Sequence, residues 1–150
     1  MMPDPVKTTV LKVIAQEMED HISQINKVHP NPSKPIDLDI EKPPIAFLFD
    51  EREGIKNRNR INIGTFSLQV EVWIEDGEVS ISDQADIIQA EIHKLFTSSE
   101  LIKAATLFIK EDEEFHAEKF YANENLGGIF LRYQVQYAFA YGDPYNPVRI

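Results

Sequence analysis

The residues best suited to metal or proton chemistry in this chain are four histidines, His21, His29, His93 and His116. None has a second histidine three or four residues away, the spacing that sets two ligands on one helical face. The pairs Glu91–His93 and His116–Glu118 are two apart, which does not fit that motif. Each histidine therefore reads as a surface or helix-flank residue. Asp37, Asp39 and Glu41 alternate, so on a strand they would project from one face. A hard cation such as calcium takes oxygen ligands of this kind. No glycine turn or twelve-residue loop pattern accompanies them, so no metal is expected there. Gly127-Gly128 is followed by neither lysine nor serine or threonine, and by a strand pattern, so it is not a phosphate loop. It reads as freedom for the backbone to begin that strand. No G-x-S-x-G elbow is present. The chain has no cysteine, which excludes thiolate catalysis, disulfides and cysteine-bound zinc. With 25 acidic residues, carboxylate pairs are everywhere and none stands out as an acid–base couple. No catalytic residue and no cofactor is expected; an enzyme built on carboxylates remains an alternative.

The other candidates are contact residues. Segment 56–60, KNRNR, carries Lys56, Arg58 and Arg60 without an acid, in a chain of net charge −10. Such a loop reads either as a solvated hairpin tip or as a hold on a partner's acidic rim. Trp73 interrupts a polar strand face. It is either an interface anchor or a side chain covered by its own chain. Tyr141 and Tyr145 belong to a proline-bracketed tail, YGDPYNP, that either packs back on the sheet or reaches a neighbour.

These residues need elements to hold them. The 150 residues suit one domain with a real core. No apolar run approaches the roughly 18 residues of a membrane span. The N-terminus, MMPDPVKTTVLKV, lacks a basic region followed by an apolar one, so a secretory signal is not expected. The absence of cysteine suits a reducing cytoplasm. The acidic balance opposes general nucleic-acid binding. It fits a soluble surface, or one that must not adhere to DNA passing close by.

Apolar residues at Val6, Val10, Ile14, Met18, Ile22 and Ile25 predict a first helix over 5–25. Asp4 is its expected cap, Pro5 its first residue, and Gln16, Glu17, Glu19 and Asp20 its wet face. Three prolines in segment 29–35 predict a loop. Segment 45–49 reads as a short strand entered at an edge, and 50–60 as a charged turn. Phe66, Leu68, Val70, Val72 and Ile74 predict a strand over 65–75 with that set inward. Asp76-Gly77 ends it. A second helix is expected over 82–96, capped by Ser80 or Ser82, with Ala85, Ile88, Ile92, Leu95 and Phe96 as its apolar stripe. Segment 101–109 reads as a third strand and 111–114 as a solvated acidic run. The final strand is expected over 129–141, with Ile129, Leu131, Tyr133, Val135, Tyr137, Phe139 and Tyr141 inward. The whole reads as an α+β single domain, an antiparallel β-sheet with two main helices on one face. Its parts are a helical segment 1–28, a proline-rich loop 29–44, a sheet plus helix 45–142 and a C-terminal tail 143–150.

The strand ending in YGDPYNP, the strand VEVWIEDG and the helix SDQADIIQAEIHKLF together resemble the tail terminator (tail completion, minor tail) proteins of long-tailed bacteriophages and prophages. The likeness runs from about Ile61 to Pro147; the proline-rich segment 29–44 departs from it. It implies a structural α+β subunit forming a homo-hexameric ring that caps the tail tube once it reaches full length. The ring's implied partners are other copies, the tail tube protein and the head–tail connector, with DNA passing through the lumen. The implied location is the virion tail, assembled in the bacterial host cytoplasm. The family offers no catalytic residues to carry over. Alternatives are a head–tail connector or neck component, and a monomeric protein-binding module using Trp73 and the aromatic tail.

Overall fold

The computed structural model describes residues 3–32, 37–38 and 40–148. Helix α1 spans Val6–His21, with strand β1 at Lys27–Pro30. Two long strands follow, β2 at Ile45–Arg58 and β3 at Ile61–Glu75. Helices α2 (Ile81–Ser98) and α3 (Glu100–Ala105) come next. Strands β4 (Phe108–Glu111), β5 (Ala117–Tyr121), β6 (Leu126–Ala140) and β7 (Asp143–Pro147) complete the chain. The expected α+β architecture is observed, with three helices against one mostly antiparallel seven-stranded sheet. Strands β2, β3 and β6 lie side by side as its spine, and β1 pairs in parallel with the start of β2. On the far side of β6, the short strands β5, β4 and β7 pair with successive stretches of it.

Period-two patterning builds the spine. Phe66, Leu68, Val70, Val72 and Ile74 on β3 and Ile129, Leu131, Tyr133, Val135, Tyr137 and Phe139 on β6 are all buried. They pack with the apolar stripes of α1 and α2 into one core. Helix α2 is capped by Ser80, whose Oγ accepts the Asp83 backbone N–H, and its five predicted stripe residues are all buried.

Several expectations change. Helix α1 ends at His21, not residue 25, because the chain turns to lay β1 beside β2; Ile22 and Ile25 are buried from that turn. Pro5 is the cap residue rather than the first helical one, and no side chain caps it; Asp4 instead accepts from Lys12 at 2.7 Å. Residues 27–30, read partly as loop, are a strand, so β2 is not entered at an edge. The segment 50–60 is not a long turn: β2 runs to Arg58 through a bulge between Glu51 and Gly54, and only Asn59 and Arg60 turn. Segment 101–109 splits into α3 and β4, because Ser99 caps a short helix that buries Ile102. Weakly alternating AEKFY forms the unexpected strand β5. The final strand stops at Ala140, leaving Tyr141 in a turn and 67% exposed rather than in the core. The tail is regular: Gly142, at φ 77°, reverses the chain so that β7 pairs back on β6.

Candidate functional site

The far half of the β2–β3 hairpin is an arm whose residues 51–60 are all exposed. Lys56 and Arg58 lie on its outgoing strand and Arg60 in its turn. The backbone N–H of Tyr141 donates to the Arg60 carbonyl at 3.0 Å, which joins the aromatic tail turn to the arm tip. Lys56, Arg58, Arg60 and Tyr141 are thus gathered at one end of the sheet. Tyr145, on β7, is 42% exposed and lines a cavity of about 480 Å³ with Val6, Val10, Thr106 and Leu107. The tail packs against its own body there.

The arm's base is fixed. Lys7 Nζ lies 2.9 Å from Asp50 and 3.0 Å from Glu53. The Tyr137 hydroxyl reaches Glu53 at 3.0 Å, passing over Gly64, where any Cβ would run into the tyrosine ring. Burial alone would raise the Asp50 carboxyl, but hydrogen bonds from Asn31 and Lys7 outweigh it and hold it below its usual range. Burial alone would lower the Lys7 ammonium, but its hydrogen bonds to Asp50 and Glu53 hold it above its usual value. Burial, then the bond to Glu53, pushes the Tyr137 phenol up. The base is anchored to helix and sheet, while the tip is held through its β3 half, which pairs with β6, and through the Tyr141–Arg60 backbone bond.

Trp73 stands at the other end of the sheet, paired with Ile45 and Gly128. It is half-buried in a second, smaller aromatic cluster on the face away from the helices. Its Nε1–H donates to Glu71 at 2.6 Å. Phe120 meets its ring edge-on at 5.0 Å and stacks on Phe130 at 4.4 Å. Ile45 and Phe47 are buried on this face too, and His29 stacks on Phe47 while its Nε2 contacts Glu41 at 2.8 Å. His29 is therefore half-buried rather than on the surface. Trp73 is thus half-buried, with Phe120 of its own chain against its ring.

Gly127 and Gly128 do not precede the last strand; both lie inside β6. A Cβ on Gly128 would collide with the Val72 carbonyl oxygen and stand 2.8 Å from the Phe120 ring. The pair exists so that Phe120 can approach β6 beneath Trp73.

The other histidines sit apart. His21 lies 3.4 Å from Glu17, His93 contacts Glu111, and His116 Nδ1 lies 3.2 Å from the Arg132 carbonyl. Of the alternating acids, Asp39 lies outside the described residues and Glu41 faces His29. Among the described residues no group of three or more histidine, aspartate or glutamate side chains is placed to hold a metal ion. The acidic run 111–114 is partly structural: Asp112 accepts the backbone N–H groups of Glu114 and Phe115, and those bonds, Phe115's first, hold its carboxyl below the usual range.

Sequence reading missed Glu17. Placed on the wet face of α1, it is instead buried at 7% exposure. Its Oε1 accepts the Ser99 hydroxyl at 2.6 Å, and the same Ser99 Oγ accepts the Ile102 N–H at 3.2 Å. One serine thus caps α3 and ties it to α1. The signal was present in spacing alone: Glu17 lies three residues past Ile14 and beside Met18, on the flank of the apolar stripe.

No protein-family model matches this sequence, and no curated protein matches it.

Proposed function

We propose that this chain is a non-enzymatic structural subunit of a phage or prophage tail, a tail terminator that forms a homo-hexameric ring. The ring caps the finished tail tube, stops addition of tube subunits and offers the surface to which the head–tail connector attaches. The observation that carries the reading is the arm: residues 51–60 form an exposed outer edge at one end of a rigid sheet, and among the described residues no strand pairs with that edge from outside. A closed ring needs two different surfaces per subunit that fit each other head to tail. A stiff sheet with an exposed basic hairpin edge at one end and acidic loops at the other supplies such unlike ends. The net charge of −10 suits a lumen through which DNA slides without adhering. A monomeric binding module anchored by Trp73 is less well supported, since Phe120 and Glu71 already occupy that side chain. A head–tail connector remains the neighbouring assignment, and direct capping of the tube protein separates the two.

Native mass spectrometry over rising concentration, alone and with the tube protein of the same genome, tests this. Hexamers and arrest of tube growth are expected. A chain that stays monomeric throughout and leaves tube growth unchanged overturns the assignment.

A further inference from the structure

The sheet is electrically polarised along its strands. At the Ile61 end of β3 stand Lys56, Arg58 and Arg60, all exposed and none in an ion pair or hydrogen bond through its side chain. Of the acids at the arm's base, Asp50 and Glu53 are engaged with Lys7, and Glu53 also with Tyr137, while exposed Glu51 is offset in charge by its exposed neighbour Arg52, so the tip stays net positive. Asp143, near the tip through its pairing with Ala140, accepts the Tyr145 N–H.

At the Glu75 end the chain presents Glu75, Asp76, Glu78, Asp83 and Glu124, all exposed and none paired with a cation. Two loops converge to make this end, since the Asp76 N–H donates to the Asn125 carbonyl at 2.9 Å. Fourteen strand steps of about 3.3 Å place the two ends roughly 46 Å apart. Exposed charges are screened over about 8 Å at physiological salt, so the ends of one molecule cannot satisfy each other.

We propose that the basic hairpin tip docks on the acidic β3–α2 and β5–β6 loop end of a second copy of this chain, as the head-to-tail contact of an assembly. This rests on the chain being a ring subunit and names the surfaces that would join. The contact runs through side chains rather than an added strand. Arg52, at φ 50°, and the bulge between Glu51 and Gly54 break the outer edge of β2 that a neighbouring strand would need.

Charge exchange tests it. One variant carries Lys56→Glu, Arg58→Glu and Arg60→Glu; the other carries Asp76→Lys, Glu78→Lys and Glu124→Lys. All six residues are exposed, and unchanged melting temperatures confirm folding. Each variant alone is expected to assemble at least about tenfold more weakly than wild type, because attraction becomes repulsion. A one-to-one mixture restores assembly, since each copy's tip then meets an oppositely charged end on the other. Raising ionic strength from about 0.01 to 0.15 M weakens wild-type assembly. If the wild type forms rings and either variant alone does so equally well, the contact is wrong and the ring assignment stands. A mixture that fails to reassemble also overturns the contact. A wild type that never assembles at low salt, alone or with the tube protein, and leaves tube growth unchanged removes both.

Discussion

Replacing Ser99 with alanine tests whether the buried Glu17 is held as described. The change deletes a hydroxyl that donates to Glu17 Oε1 at 2.6 Å and accepts the Ile102 N–H at 3.2 Å. Both Glu17 and Ser99 are 7% exposed, so lost partners are poorly replaced by water. A hydrogen bond to a charged group contributes about 1.5–3 kcal/mol. Loss of a helix-capping oxygen adds about 1 kcal/mol. The expected cost is about 2.5–4 kcal/mol. At about 2–4 °C per kcal/mol for a chain of this size, that is a melting-temperature fall of roughly 5–15 °C. Glu17→Gln, which keeps an acceptor, should lose only about 1 kcal/mol. In Ser99→Ala the Glu17 carboxyl keeps only exposed His21, at 3.4 Å; joining Glu17→Met to Ser99→Ala removes that poorly partnered group, so the double variant should be more stable than the sum of the singles by at least about 1 kcal/mol. Urea unfolding at a concentration where the chain is monomeric measures wild type, Ser99→Ala, Glu17→Gln, Glu17→Met and the double variant, because assembly would mask the differences. A Ser99→Ala variant within about 0.5 kcal/mol of wild type, or strict additivity in the cycle, would refute the argument. Water entering the neighbouring cavity of about 380 Å³ would then be solvating the carboxylate.

Gly128→Ala should destabilise by about 1–3 kcal/mol, because the added methyl meets the Val72 backbone, which cannot swing aside as a side chain could. Trp73, the only tryptophan, lies over the displaced Phe120, so its fluorescence should shift to the red; an unmoved spectrum with normal stability would contradict the packing. Lys7→Met should cost about 0.5–1 kcal/mol near neutral pH, a figure kept small by partial exposure of the pair. The gap between wild type and variant should depend on pH in a set way. The Asp50 carboxyl is held low, so its contribution is full above about pH 4 and fades as pH falls through the folded value. The Lys7 ammonium is held high, so its contribution is full below about pH 10 and fades as pH rises through the folded value. Melting curves of both proteins from acid to alkali check this, and a gap that widens at either extreme would contradict it.

Where a signal was dense and local, the residue pattern specified the element. The alternation from Phe66 to Ile74 and from Ile129 to Phe139 specified two strands and the faces that pack on the helices, because successive strand side chains point to opposite faces and the apolar set marks the one in the core. The stripe of α2 and its Ser80 cap were legible for the same reason. What lacked a local period went unread: β1 and β5 bury too little to show a pattern, and they are strands because longer neighbours offer them ladder partners. The candidate site was half visible. KNRNR announced its charge, but a charged run does not say whether its backbone turns or extends, and pairing with β3 decided that it extends. Burial of Glu17 depends on Ser99, 82 positions away, and the enclosure of Trp73 on Phe120 of a different strand. Such contacts exist only where distant elements pack together, so no local pattern along the chain could announce them.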